Sequence, residues 1–234
     1  MPYNIAPATQ RVVIFDTNAY RELCSNKTLE VCKSKAEELV NIEKSNKTEA
    51  LANLYTIMEL ASHLADITDP HYDDCLNALV SLGIHTQIND GIKMVADSES
   101  VICKELFGKI LAEHENSPRV LSSLTSYIRD NAPDISDPQA QSQLKKIHTI
   151  VEGTEKAWID GMKDAITKCD PHANAWELGK GDKNLQKKIQ RLFNSDRFLN
   201  TYASAFVTTY ANKVSVQLTQ DELSEKTKQL VSGY

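Results

Sequence analysis

The first regular pattern in the chain is an apolar run, Val12-Val13-Ile14-Phe15 after Arg11, which halts at Asp16-Thr17-Asn18. It is rich in β-branched residues and has no polar alternation, the pattern of a strand buried on both faces in a parallel sheet. From about Leu29 to Glu43 the pattern changes. Val31, Ala36, Leu39, Val40 and Ile42 recur among lysines and glutamates, which predicts an amphipathic helix that Ser45-Asn46-Lys47 ends. A second short run, Leu51 to Tyr55, predicts another strand and leads into Thr56-Ile57-Met58-Glu59-Leu60. Thr56 is placed to cap a helix carrying Glu59 at its third position. Strand, helix, strand, helix is the opening of a βαβ unit with a right-handed crossover.

Past about residue 68 helical spacing dominates. Asp69-Pro70, Asp137-Pro138 and Asp170-Pro171 each pair a capping aspartate with a proline suited to the first helical position. Val101 to Leu111 and Val120 to Ile128 have helical periodicity. Leu144, Ile147, Val151, Thr154, Trp158, Gly161 and Ala165 recur in alternating steps of three and four, the seam of a long helix packed lengthwise. Phe198, Tyr202, Phe206, Tyr210 and Val214 mark a further long helical face. Only eight glycines and seven prolines punctuate the chain, which favours long elements over a many-stranded sheet. The expectation is an α/β protein: residues 1–68 form the first half of a parallel-sheet core. Residues 69–234 form a large, mainly α-helical insertion or second lobe, returning to the core near 196–221.

Composition narrows the functional classes. With 234 residues the chain is long enough for a sizeable core, and its formal net charge of -6 gives no bulk attraction to a nucleic-acid backbone. Contact with nucleic acid must then be local. The one concentration of positive charge includes Lys187, Lys188 and Arg191, with Trp176 and Phe193 nearby, and is suited either to a phosphate backbone or to the solvated face of a helix. The five cysteines contain no C-x-x-C pair, which predicts reduced thiols and a cytoplasmic location rather than a disulfide framework or zinc knuckle. The six histidines fall into no H-x-x-x-H spacing. No apolar stretch approaches a membrane span and the N-terminus has no secretion-signal pattern, so no membrane partner is expected.

Chemistry concentrates where the first strand ends. An aspartate at the carboxyl end of a buried strand lies in the crevice where open α/β folds bind ligands. Thr17 and Asn18 are short polar residues suited to orienting it. The stretch Val12 to Tyr20 resembles the opening strand and first acid of PIN-domain nucleases. Thr56-Ile57-Met58-Glu59-Leu60 is similar to that family's second acid, which follows a small hydroxyl residue in the next β-to-α turn. The resemblance covers about residues 10 to 65. Two carboxylates converging at neighbouring strand ends repel unless a divalent cation shares their oxygens. The implied ligands are Asp16 and Glu59, and the implied cofactor is Mg²⁺ or Mn²⁺. Activity implied by the resemblance is cleavage of single-stranded RNA, less often DNA. Thr17, Asn18, Lys187, Lys188 and Arg191 would contact that substrate. Relatives of this size commonly act as toxins or defence effectors, which brings an inhibitor protein or a homo-oligomer into view as partners.

PIN domains complete their site with further aspartates, and Asp196 and Asp221 are the candidates here. Asp196 precedes a helix, and Val216 to Asp221 resembles a strand followed by T-x-D. A competing reading treats Ser195 or Asp196 as a helix cap and pairs Thr219 with Glu222 as a capping box. The chain then carries an incomplete or inactive nuclease. Two other readings stand beside these. A haloacid-dehalogenase scaffold also ends a strand in aspartate, but needs a second aspartate where this chain has Asn18. A non-catalytic helical binding module would make Asp16 and Glu59 structural, as an Asx turn and a helix-dipole partner.

Overall fold

A computed structural model describes residues 11–95, 98–109, 118–169, 187, 190–191 and 194–232. The chain is mostly helical with a small parallel two-stranded sheet, and it divides into two compact units. One unit comprises residues 1–97 and 113–153, the other residues 98–112 and 154–234.

The first unit opens with β1 (Arg11–Val13), α1 (Thr17–Cys24), α2 (Leu29–Ser45), β2 (Thr48–Ala50) and α3 (Leu54–Ser62). A 3-10 turn, His63–Ala65, precedes α4 (Tyr72–His85) and a hairpin of β3 (Gln87–Ile88) and β4 (Gly91–Ile92). β1 and β2 run parallel, with Arg11 opposite Thr48 and Val13 opposite Ala50. Beyond β2, the Ala52 amide donates to the Lys93 carbonyl and the Val95 amide to the Ala52 carbonyl, extending parallel pairing to a third segment. The side of β1 away from β2 has no strand neighbour among the described residues.

Local chemistry explains the element boundaries. Asp16 caps α1 by accepting from the Ala19 amide, Thr28 caps α2 from Val31, and Asn53 caps α3 from Tyr55. Asn46 closes α2, and Lys47 turns the chain into β2 with a φ of 54°. α4 is apolar around most of its circumference because it is enclosed by α1, α2, α3 and α6 (Pro118–Asn131). Leu76, Leu79, Val80 and Leu82 fill this centre with Leu60, Leu121 and Ile128. Gly83 lets α6 approach: a Cβ there would meet the Arg129 Cβ at 3.2 Å. Leu144 and Ile147, from the start of α7 (Pro138–Cys169), seal the same core. Asp137 accepts from the Ala140 amide with Pro138 in the first turn, as its sequence signature predicts.

The second unit contains α5 (Ser98–Phe107), the later part of α7, α8 (Asp196–Lys213) and α9 (Gln220–Ser232). α8 and α9 pack on each other. Phe198, Ala203, Val207, Tyr210 and Ala211 are the buried positions of α8. Lys226 donates to the Leu106 carbonyl and sits 5.3 Å from the centre of the Phe107 ring, tying α9 to α5.

Several sequence expectations require correction. β1 is not buried on both faces: Val12 and Ile14 are 43% and 47% exposed, and among the described residues β2 is the one strand paired with β1. The second strand is Thr48–Ala50, earlier than the Leu51–Tyr55 run, because Asn53 starts α3 and draws Leu54 and Tyr55 into helix. Thr56 is therefore a buried first-turn residue rather than a cap. α4 starts at Tyr72 because Asp69 accepts the His71 amide in a turn of its own. The lengthwise seam of α7 is buried at Leu144 and Ile147, half-buried at Val151 and exposed at Thr154 and Gly161, where small or polar residues offer little apolar area. On α8, Tyr202 is exposed and the buried stripe passes through Ala203 and Val207. Asp170-Pro171, Trp176, Lys188 and Phe193, with the side chains of Trp158 and Ala165, lie outside the described residues.

Candidate functional site

Asp16 stands three residues beyond β1, and its Oδ1 accepts the Ala19 amide at 2.8 Å. Capping and site geometry thus share one side chain, since the bond that starts α1 also fixes the carboxylate. The next residue, Thr17, is buried and donates through Oγ1 to Glu59 Oε2 at 2.6 Å, across 42 residues of sequence. Glu59 lies in the second turn of α3 and is exposed, as is Asp16. The Thr17 hydroxyl thus ties the start of α1, next to Asp16, to Glu59 on α3. Asn18 is exposed in the first turn of α1.

Carboxylate oxygens are the donor type that a hard divalent cation takes. Each carboxylate has one oxygen in the cited hydrogen bonds and a second oxygen outside them. Mg²⁺ is commonly held by one or two carboxylates, with water and substrate phosphate completing its shell. Among the described residues, no cluster of three or more His, Cys, Asp or Glu suited to a metal is present. Asp196 lies in the first turn of α8, after Ser195 has capped that helix by accepting the Phe198 amide. Asp221 lies in the first turn of α9. Residues 216–219 form no strand, and Thr219 and Glu222 exchange hydrogen bonds as a capping box. Both aspartates belong to the second unit, whereas Asp16 and Glu59 belong to the first. Lys187 and Arg191 are exposed residues in helical backbone.

A hydrogen-bonded relay supports α1 from behind. Tyr20 bonds through its hydroxyl to His85 Nδ1 at 2.8 Å, and His85 Nε2 bonds to Glu43 Oε1 at 2.9 Å. An ionised Glu43 only accepts, so Nε2 carries the proton and Nδ1 accepts from the phenol in the neutral ring. Burial, with the Glu43 charge adding to it, pushes the Tyr20 hydroxyl well above its ordinary pKa. Phe15 covers the relay, its ring 5.0 Å from that of His85. Helices α1, α2 and α4 are thereby pinned behind the strand end that presents Asp16.

A second polar group escaped the sequence reading. Arg21 Nη2 donates to His71 Nδ1 at 3.2 Å, and His63 Nδ1 bonds Asp69 Oδ2 at 2.9 Å. The two imidazoles meet edge to face, 5.5 Å apart. Hydrogen bonds from the His71 amide and the His63 ring hold the Asp69 carboxyl below the usual carboxylate value. The available signal was helical spacing: Arg21 lies four residues after Thr17, and His63 four after Glu59.

No protein-family model, no curated protein and no solved structure matches the chain. Among the described residues, no helix is long and apolar enough to cross a membrane.

Proposed function

We propose that the chain is a metal-dependent nuclease with a PIN-like N-terminal core, cutting phosphodiester bonds in single-stranded RNA. The observation that carries this reading is the Thr17–Glu59 hydrogen bond, which ties the residue next to Asp16 to the second acid, Glu59. Asp16 and Glu59 would hold Mg²⁺ or Mn²⁺. When bound, such an ion activates water and neutralises charge building on the phosphodiester. The Ala19 amide and the Thr17 hydroxyl keep the two carboxylates from turning away. The Tyr20–His85–Glu43 relay holds the first turn of α1 against movement when substrate arrives. Lys187 and Arg191 are candidates for backbone contact.

One observation favours a second reading, that of an incomplete nuclease: among the described residues no third acid joins the pair. An assay decides between them. Labelled single-stranded RNA is incubated with Mn²⁺ and wild type, Asp16→Asn or Glu59→Gln. The expected outcome is cleavage by wild type and a loss of at least about a hundredfold in each variant, the scale seen when a transition-state electrostatic group is removed. Equal cleavage by all three, or none by wild type, rejects the catalytic assignment.

A further inference from the structure

We propose that Arg21 and His71, with His63 fixed by Asp69, form a phosphate-holding subsite that takes the non-bridging oxygens of a nucleic-acid strand beside the Asp16–Glu59 pair. This inference rests on the nuclease reading and adds to it the residues that grip the substrate's anionic side.

Placement comes first. Thr17 and Arg21 are one turn apart on α1, and Glu59 and His63 are one turn apart on α3 and its terminal turn. Positions separated by four stack on one helix face, about 5–6 Å apart at Cβ. The Thr17–Glu59 bond sets the two helices side by side at one level. Arg21 and His63 therefore fall on the adjacent level of the same strip, and the bridge through His71 joins them there: Arg21 bonds the His71 ring, which meets the His63 ring.

Protonation follows from the partners. Arg21 has only donors, so His71 Nδ1 accepts and its proton sits on Nε2. Asp69, as a carboxylate, only accepts, so His63 Nδ1 carries a proton. Asp69 also accepts the His71 backbone amide at 2.7 Å, so one carboxylate fixes both histidines. The outward chemistry of the group is thus a guanidinium fork and the Nε2–H of His71.

Charge separates a binding role from a bracing role. An arginine that only braces a surface normally pairs with a carboxylate. Among the described residues Arg21 makes no ion pair; its hydrogen bond goes to the His71 imidazole, which leaves further guanidinium donors for an anion. His71 is exposed, while Arg21 and His63 are half-buried, so the group is open to a ligand while its stems are held. A planar guanidinium matches two phosphate oxygens at once, which an ammonium does not.

The test measures binding apart from cleavage. Fluorescein-labelled single-stranded RNA is titrated with the full chain in Ca²⁺ at several salt concentrations, and gels confirm that the RNA stays whole. Arg21→Gln is expected to weaken binding about tenfold and to lower the slope of log Kd against log salt by about 0.7, one phosphate contact on a single strand. Arg119→Gln, which removes an exposed cation from another element, is expected to stay within about twofold of wild type. Circular dichroism monitors folding. If Arg21→Gln does not fold, His71→Asn reads the same strip, with a loss of about threefold expected for one neutral hydrogen bond. Binding by the folded variant that matches wild type in affinity and salt slope overturns the subsite, as does a wild type that binds no RNA. Asp16-dependent cleavage together with unchanged Arg21→Gln binding rejects the subsite alone. Arg21-dependent binding without any cleavage rejects the nuclease reading alone.

Discussion

At the residue scale, Asp16 caps α1 and, in the proposed function, holds the metal ion, two tasks that mutation can separate. Asparagine caps helices about as well as aspartate, whereas alanine forfeits the cap at about 1 kcal/mol. Asp16→Asn is therefore expected to keep the urea midpoint of wild type while abolishing Mn²⁺-dependent cleavage. Asp16→Ala is expected to lose both. A midpoint lowered equally by the two variants would assign the carboxylate's charge, not its capping, to stability. Asp69 gives a pH signature. Its folded pKa lies below the ordinary carboxylate value, so its stabilising contribution is complete above that value and fades as the pH falls below about 4. Urea melts across that range are expected to show a shallower acid loss in Asp69→Asn than in wild type. Parallel curves would contradict the hydrogen bonds assigned to it.

At the scale of elements, the legible features were those whose signal is local. The helix at Leu29–Ser45, its break at Asn46-Lys47 and the Asp137-Pro138 start of α7 follow from periodicity and capping chemistry within a few residues. So does the Thr219–Glu222 box. What could not be read depended on neighbours distant in sequence. Val12 and Ile14 look like core residues, and their exposure depends on what packs over the sheet rather than on their own sequence. Asn53 and Thr56 are both competent caps, and the choice of Asn53 moved the whole start of α3. The Arg21, His63, Asp69 and His71 group spans two helices and a loop, so no single stretch announces it. The centre of the first unit is α4, enclosed by four helices, and Leu79 within it has no exposed surface. Leu79→Ala is expected to cost about 2–5 kcal/mol, read from urea denaturation. A cost below about 1 kcal/mol would mean that α4 is not the packing centre.

At the scale of the molecule, the sequence suggests Asp16 and Glu59 as a pair because each follows a strand along the chain, and the structure bonds Glu59 to Thr17, the residue next to Asp16. Asp196 and Asp221 were readable only as isolated acids, and they lie in the other compact unit. A charge of -6 distributed over the chain means that any grip on nucleic acid must come from small groupings such as Arg21 with His71. The flank of β1 away from β2, which has no strand neighbour among the described residues, has a different consequence. Alternate backbone amides and carbonyls there point away from β2, next to Val12 and Ile14, which is how strands from separate molecules recruit one another. Crowding copies together should thus draw this ribbon into intermolecular pairing. Val12→Lys, placing a like charge on every copy, is expected to suppress the rise of light scattering with concentration; an unchanged rise would locate the cohesion elsewhere. Asp16 lies only four positions further along, so substrate and a second molecule of the protein would compete for neighbouring ground.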